Sequence, residues 1–273
     1  MLIAMLRWFE HSLVYHPDGE MMASGSELGR PFEDVTFTSA DGVKLNGWFF
    51  PAHANSPRRR KVVLFCHGNA GNISHRLEMC EALLETGVGV FLFDYRGFGR
   101  SQGRPSEDGT YRDTAAAFQW LQRKGIASTD VIIMGESLGG GIGSELASRE
   151  RVGGLILEST FTSILDIGAE IYPWLPVRWL ATIKYDTRSR LARLKIPVLV
   201  MHSRADDVVA FHHAEENFAA ANEPKLFWEI KGDHNNALGD RALFIAGLEA
   251  FLRLVEKCGA APQTLSTSGV QAG

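Results

Sequence analysis

Six short apolar runs, almost free of polar alternation, constrain this chain more than any other feature. They are Val62–Cys66, Val88–Phe93, Val131–Met134, Leu155–Leu157, Val198–Met201 and Leu226–Ile230. A strand reads this way when both of its faces are covered, as in a parallel sheet sandwiched between helices. Parallel neighbours need crossover helices. Helical patterns follow the runs around Leu77, Cys80, Leu83 and Leu84, then over Tyr111–Gln122, Leu138–Ser148, Phe211–Ala221 and Ala237–Lys257. The expected fold class is therefore α/β, with a mostly parallel central sheet and flanking helices. Upstream, Glu33 to Phe50 alternates apolar and polar residues around Asp41-Gly42, which predicts a β-hairpin.

The rhythm breaks between Phe161 and Leu194, where Ile171-Tyr172-Pro173-Trp174-Leu175-Pro176 interrupts it. A small helical cap insertion, over about residues 161–194, is the expectation. No internal repeat and no linker cuts the chain, so residues 1–258 are read as a single domain. From Gly259 the sequence is small, polar and aperiodic, and residues 259–273 are expected to form a disordered tail.

The 45% apolar and 22% charged residues supply an ordinary core. The formal net charge of −4 and the single basic run, Arg58-Arg59-Arg60-Lys61, argue against nucleic-acid binding, which needs many phosphate-neutralising side chains on one face. That run reads as the solvated start of the strand after it. The three cysteines, Cys66, Cys80 and Cys258, have neither a disulfide nor a zinc spacing. Cys66 and Cys80 read as buried free thiols, which fits a reducing, cytoplasmic compartment. His212 and His213 read as the solvated start of a helix, with no i,i+4 ligand pattern, and no metal is expected. At the N-terminus, Leu2, Leu6, Phe9 and Leu13 recur at near-helical spacing, but the segment is too short and too charged to span a bilayer. Two readings remain, a helix packed on the domain and an interfacial helix making peripheral membrane contact.

Two segments match G-x-S-x-G, Gly99-Arg100-Ser101-Gln102-Gly103 and Gly135-Glu136-Ser137-Leu138-Gly139. The pattern carries chemistry only where a strand feeds the serine and a helix starts directly after it, because that sharp turn lifts the hydroxyl clear of the sheet. Ser137 has that setting and Ser101, in a polar glycine-rich loop, does not. Ser137 is the expected nucleophile. The backbone N–H of Leu138 is the expected first oxyanion donor. The second is expected from His67-Gly68-Asn69-Ala70-Gly71-Asn72 after the first parallel strand, with Asn69 preferred to Ala70. His67, at a strand end, reads as structural.

The acid should follow the strand Val198–Met201, where Asp206 is preferred to its neighbour Asp207, and the base should follow the last strand, where His234 stands in Lys231-Gly232-Asp233-His234-Asn235-Asn236. The order Ser137, Asp206, His234 gives a triad of nucleophile, orienting acid and base.

Together these motifs resemble the α/β-hydrolase superfamily. The His67–Asn72 run, the loop Asp94-Tyr95-Arg96-Gly97-Phe98-Gly99, Glu158-Ser159-Thr160-Phe161-Thr162-Ser163 and Leu13-Val14-Tyr15-His16-Pro17 are similar to its Bem46-like subgroup, over roughly Leu13 to Cys258. The resemblance implies an α/β-hydrolase fold and hydrolysis of carboxylic esters or thioesters without a cofactor. It also implies that the Asp94–Gly99 loop shapes the sheet edge without a catalytic role. The expected function is that of a serine esterase acting through an acyl-enzyme on Ser137, with a small-molecule or lipid-like acyl ester as substrate. An acyl-protein or acyl thioesterase, a serine peptidase and a non-catalytic ligand-binding module are the rival readings.

Overall fold

The computed structural model describes residues 2–260. All six predicted runs are strands of one eight-stranded sheet, completed by the two strands of the predicted hairpin. In chain order these are β1 (Glu33–Thr38), β2 (Lys44–Phe50), β3 (Val62–Cys66), β4 (Gly89–Phe93), β5 (Val131–Glu136), β6 (Gly154–Glu158), β7 (Val198–Ser203) and β8 (Lys225–Ile230). Across the sheet they run β8-β7-β6-β5-β3-β4-β2-β1. Every pairing from β8 to β4 is parallel, while β2 pairs antiparallel with both β4 and β1. Within the hairpin Thr38 lies opposite Lys44, so Asp41-Gly42 turns the chain, and Gly42 takes the φ of +86° that favours glycine.

The apolar runs are explained by what lies on either side of them. Val63 and Phe65 of β3 pack with Cys80 and Leu83 of α2 (Leu77–Glu85) and with Phe244, Leu248 and Phe251 of α9 (Arg241–Ala260). Leu64 and Cys66, on the opposite face of the same strand, pack with Phe118 and Leu121 of α3 (Glu107–Arg123) and Ile142 and Leu146 of α4 (Leu138–Arg149). Each such fully buried Phe, Leu or Ile contributes on the order of 1.5–3 kcal/mol, and two separate clusters make a three-layer sandwich.

Three helix ends depart from the sequence reading by three residues or more. Helix α3 begins at Glu107, four residues before the expected Tyr111, because the Ser106 hydroxyl caps it by accepting the Gly109 N–H at 3.1 Å. Its first turn is polar, so it carries no apolar period. Helix α9 begins at Arg241 rather than Ala237, with the Asp240 carboxylate accepting the Leu243 N–H at 3.0 Å. At its other end α9 runs through Gly259 to Ala260, so those two residues are helical. The remainder of the expected tail, 261–273, lies outside the described residues.

Between β6 and β7, where the cap was expected, the chain forms three short helices, α5 (Ile164–Ile171), α6 (Val177–Leu180) and α7 (Thr187–Leu191). The N-terminal segment is a helix, α1 (Leu2–Val14), and it is tied to this region. The Glu10 carboxylate accepts hydrogen bonds from the Thr182 and Ile183 amides at 2.6 and 2.9 Å and from the Thr182 hydroxyl at 2.7 Å. Beyond α1, His16–Pro17 pairs in parallel with Ala70–Gly71, and the His16 N–H donates to the Asn69 carbonyl at 2.8 Å. Helix α8 (Phe211–Ala220) joins β7 to β8. Among the described residues no helix is long and apolar enough to cross a membrane.

Candidate active site

Ser137 occupies the turn between β5 and α4 with φ 51° and ψ −114°, a strained conformation for a residue with a side chain. The strain is maintained because the elbow fits tightly against the strands beneath. A Cβ on Gly139 would stand 1.9 Å from the Cys66 carbonyl oxygen, and one on Gly135 would stand 2.4 Å from the Gly140 Cα. Only glycine lets α4 begin this close to β3, and that closeness lifts the Ser137 hydroxyl above the sheet edge.

The other two predicted residues converge on it from the β7 and β8 loops. The Ser137 Oγ lies 3.0 Å from His234 Nε2, and His234 Nδ1 lies 2.9 and 3.0 Å from the two Asp206 carboxylate oxygens. Asp206 is held in turn by the Val208 and Val209 amides, which donate to its Oδ1 at 3.0 and 2.8 Å. The loop is braced by the buried His202, whose Nε2 lies 2.8 Å from the Val209 carbonyl. Asp207, the alternative acid, is exposed and only accepts the His234 backbone N–H at 3.4 Å.

Electrostatics favour the same division of roles. Burial pushes the Asp206 carboxyl up, but its bond to His234 and the two backbone amides outweigh this and hold it below the usual carboxylate range. Burial pushes the His234 imidazolium down, yet the Asp206 bond and charge, with Glu158 and Glu136 behind, raise it above its ordinary value. An ionised aspartate beside a basic imidazole is the state in which the imidazole can take a hydroxyl proton.

The two expected oxyanion residues line the same cavity as Ser137. Leu138 is the first residue of α4, where a backbone N–H has no intrahelical acceptor. Asn69 follows β3 in a loop pinned by its own side chain, which donates to the Val14 carbonyl at 3.0 Å. Ser137, Leu138 and Asn69 all border one cavity. The decoys are structural. Ser101 is buried, donating to the Asp94 carbonyl at 2.7 Å and accepting the Asn46 N–H at 2.9 Å. His67 is fully buried, with Nδ1 2.8 Å from the Gly68 carbonyl.

Residues 61–184 match a family model described as alpha/beta hydrolase fold. An uncharacterized protein of Mycobacterium tuberculosis is 37% identical over 254 residues, 92% of this chain and 90% of its own length. The chain belongs to the alpha/beta hydrolase family. The bem46 protein of Schizosaccharomyces pombe, 30% identical over 76% of this chain and 73% of its own, accords with the resemblance carried by the His67–Asn72 and Asp94–Gly99 motifs. Among solved structures, an esterase of Pyrococcus furiosus superposes with a TM-score of 0.72 at 20% identity, over 88% of this chain and 97% of that one, and so shares the fold.

In this α/β hydrolase two cavities of different character meet at His234. The larger, about 440 Å³, is mostly apolar and opens from Ser137 between α1 and α5, with Leu13, Phe161, Ile167 and Leu175 in its walls. The exposed Trp8, Trp174 and Trp179, at 71%, 77% and 91% of full exposure, lie on the two segments, α1 and 172–180, that also line this cavity. The smaller cavity, about 280 Å³, lies behind the imidazole and is lined by Arg76, Glu136 and Glu158 among others. Sequence reasoning missed this polar group. Glu136 and Glu158 end adjacent strands and are register partners, so a pairing of β5 with β6 would have revealed them. The Arg76 Nε donates to Glu136 at 2.7 Å, and although burial works against it, Arg76 keeps the Glu136 carboxyl below its ordinary value. Glu158 has no such partner and is pushed up to about 8, by burial first and by the Glu136 charge second.

Proposed function

We propose that the protein is a serine carboxylic ester hydrolase that works through an acyl-enzyme on Ser137. The observation that carries this reading is the unbroken chain of contacts from the Ser137 hydroxyl through both nitrogens of His234 to Asp206, at 3.0 and 2.9 Å. His234 takes the hydroxyl proton as Ser137 attacks the acyl carbonyl, and Asp206 holds the imidazole tautomer and stabilises the imidazolium. The backbone amides of Leu138 and Asn69 receive the charge that develops on the carbonyl oxygen, an interaction worth about 2.7–4 kcal/mol per donor in such sites. The leaving alcohol takes the proton from His234 Nε2. Water, deprotonated by the same nitrogen, then releases the acid and restores the hydroxyl.

The apolar cavity beside Ser137, within the ordinary range of roughly 300–1,000 Å³ for ligand sites, favours a lipid-like acyl chain on the substrate. The exposed tryptophans on α1 and on 172–180 support peripheral contact of this face with a lipid surface. A fluorophosphonate probe should label the wild type and not Ser137→Ala. Turnover of p-nitrophenyl esters from acetate to palmitate should fall on the order of 10⁴-fold or more in that variant. Labelling or near-normal turnover in Ser137→Ala would remove the proposal. Parallel assays with an acyl thioester and a peptide amide separate esterase from thioesterase and peptidase.

A further inference from the structure

Away from Ser137, His234 and Asp206, beside the face of α5 that lines the apolar cavity, two neighbouring imidazoles converge on one carboxylate. His212 and His213 are the second and third residues of α8, and Glu170 lies near the end of α5. His212 Nε2 stands 3.0 Å from Glu170 Oε1, and His213 Nε2 stands 3.2 Å from Glu170 Oε2. Successive residues of a helix point about 100° apart and do not ordinarily share a target. Here the two rings stack with centroids 4.4 Å apart and planes inclined by 29°. One nitrogen from each ring and one carboxylate oxygen all lie within 4.8 Å of one another.

We propose that Glu170, His212 and His213 form a binding site for a borderline divalent cation of the Zn²⁺ class, which ties the cap helix α5 to α8. Bonds of about 2.0–2.2 Å to nitrogen and oxygen imply ligand-to-ligand edges of about 3.3 Å around a tetrahedral ion. The two Glu170–imidazole separations already lie near that edge. Two imidazoles and a carboxylate select Zn²⁺, Co²⁺ or Ni²⁺ over the hard, oxygen-seeking Mg²⁺ and Ca²⁺. Glu170 and His212 are each 44% exposed, so an ion reaches the site from solvent and a water completes its coordination.

The surroundings of the buried ligand suit this role. His213 Nδ1 lies 3.0 Å from the Thr162 hydroxyl, which donates to Asp166 Oδ2 at 2.9 Å. A proton on Nδ1 is then received by Thr162, and the Nε2 lone pair faces Glu170, as a metal-bound imidazole backed by a hydroxyl and a carboxylate requires. In the ion-free protein the other tautomer serves, with Nε2 donating to Glu170 and Nδ1 accepting the Thr162 amide at 3.3 Å. Loading exchanges one tautomer for the other. Ile164, Ile167 and Ile171 of α5 line the apolar cavity, so an ion on Glu170 fixes the helix that forms that wall.

The test uses the full chain without a histidine tag, stripped with a chelator. Zn²⁺ is titrated by calorimetry, Co²⁺ by its visible absorption, and the melting temperature is followed with each ion. One saturable site with a tetrahedral Co²⁺ spectrum and a raised melting temperature is expected, weakened about tenfold or more in both His212→Ala and Glu170→Gln and unchanged in Ser137→Ala. Mg²⁺ and Ca²⁺ should leave the melting temperature where it was. Circular dichroism checks that His212→Ala, a change at an exposed side chain, leaves the fold intact. Absence of saturable Zn²⁺ binding up to about 1 mM, or binding that survives both substitutions, would overturn the assignment.

Discussion

Replacing Glu158 with glutamine should stabilise the protein by an amount that grows with pH. The Glu158 side chain is almost wholly buried at the end of β6, its Oε1 has no hydrogen-bond partner, and its register neighbour is the ionised Glu136. Its carboxyl titrates near 8 in the folded chain against an ordinary 4.5. Between those values the folded state holds a proton that the unfolded chain has released, so stability falls as pH rises across that window. Below about 4.5 both states are protonated and the group costs nothing by this route. Above about 8 the full penalty applies, three and a half pH units at about 1.36 kcal/mol each, or about 5 kcal/mol. At pH 6.5, two units into that window, the penalty is about 3 kcal/mol. Glutamine keeps the shape and never ionises, so it removes this slope. Urea unfolding of the wild type and Glu158→Gln at pH 5, 6.5 and 8 measures the gap. The reasoning fails if the stability difference stays constant between pH 5 and 8, or shrinks.

Three further outcomes follow from the site and the elbow. Asp206→Asn should lower kcat by about 10⁴ while Asp207→Asn leaves it within a few-fold, and equal losses in steady-state ester hydrolysis would contradict the assignment of the acid. The kcat/KM for ester hydrolysis should rise with pH as the imidazole loses its proton, with a midpoint above the ordinary histidine value of 6.5 because Asp206 and the ionised Glu136 behind it favour the charged ring. A midpoint below that value would show that burial dominates instead. Gly139→Ala should destabilise by more than about 3 kcal/mol or prevent folding, since its Cβ would stand 1.9 Å from a backbone oxygen of β3 that cannot move aside; a wild-type melting curve would refute the tight elbow.

The sheet was legible because covered parallel strands leave a signal that needs no partner to be read. β3, β4 and β5 are apolar at nearly every position whatever lies above them. Ser137, Asp206 and His234 were legible for a related reason, since each lies in the turn or loop that follows a strand of the sheet. What stayed hidden is either a local cap that leaves no apolar period or a contact between chain segments far apart in sequence. The start of α3 rests on one capping hydroxyl and a polar first turn, and the start of α9 on an aspartate cap. The contact of Glu10 with residues 182 and 183 spans 172 positions and leaves no local trace. His212 and His213 read as a solvated helix start because Glu170 approaches them from the cap, 42 residues away from the nearer one. The Arg76–Glu136–Glu158 group required the strand register before its members could be seen as neighbours.

The two-residue pairing of His16–Pro17 with Ala70–Gly71 ties the start of the chain to the loop that carries the proposed oxyanion donor. Asn69, the proposed second oxyanion donor, has both its carbonyl and its side chain engaged by residues 16 and 14. An expression design that trims those residues as a dispensable leader would leave the eight-stranded sheet whole while releasing the loop proposed to present an N–H to the reacting oxygen. On the proposed mechanism, a force or partner acting on the first helix would reach that loop through one backbone and one side-chain hydrogen bond, and catalytic rate would report on what happens at the far end of α1.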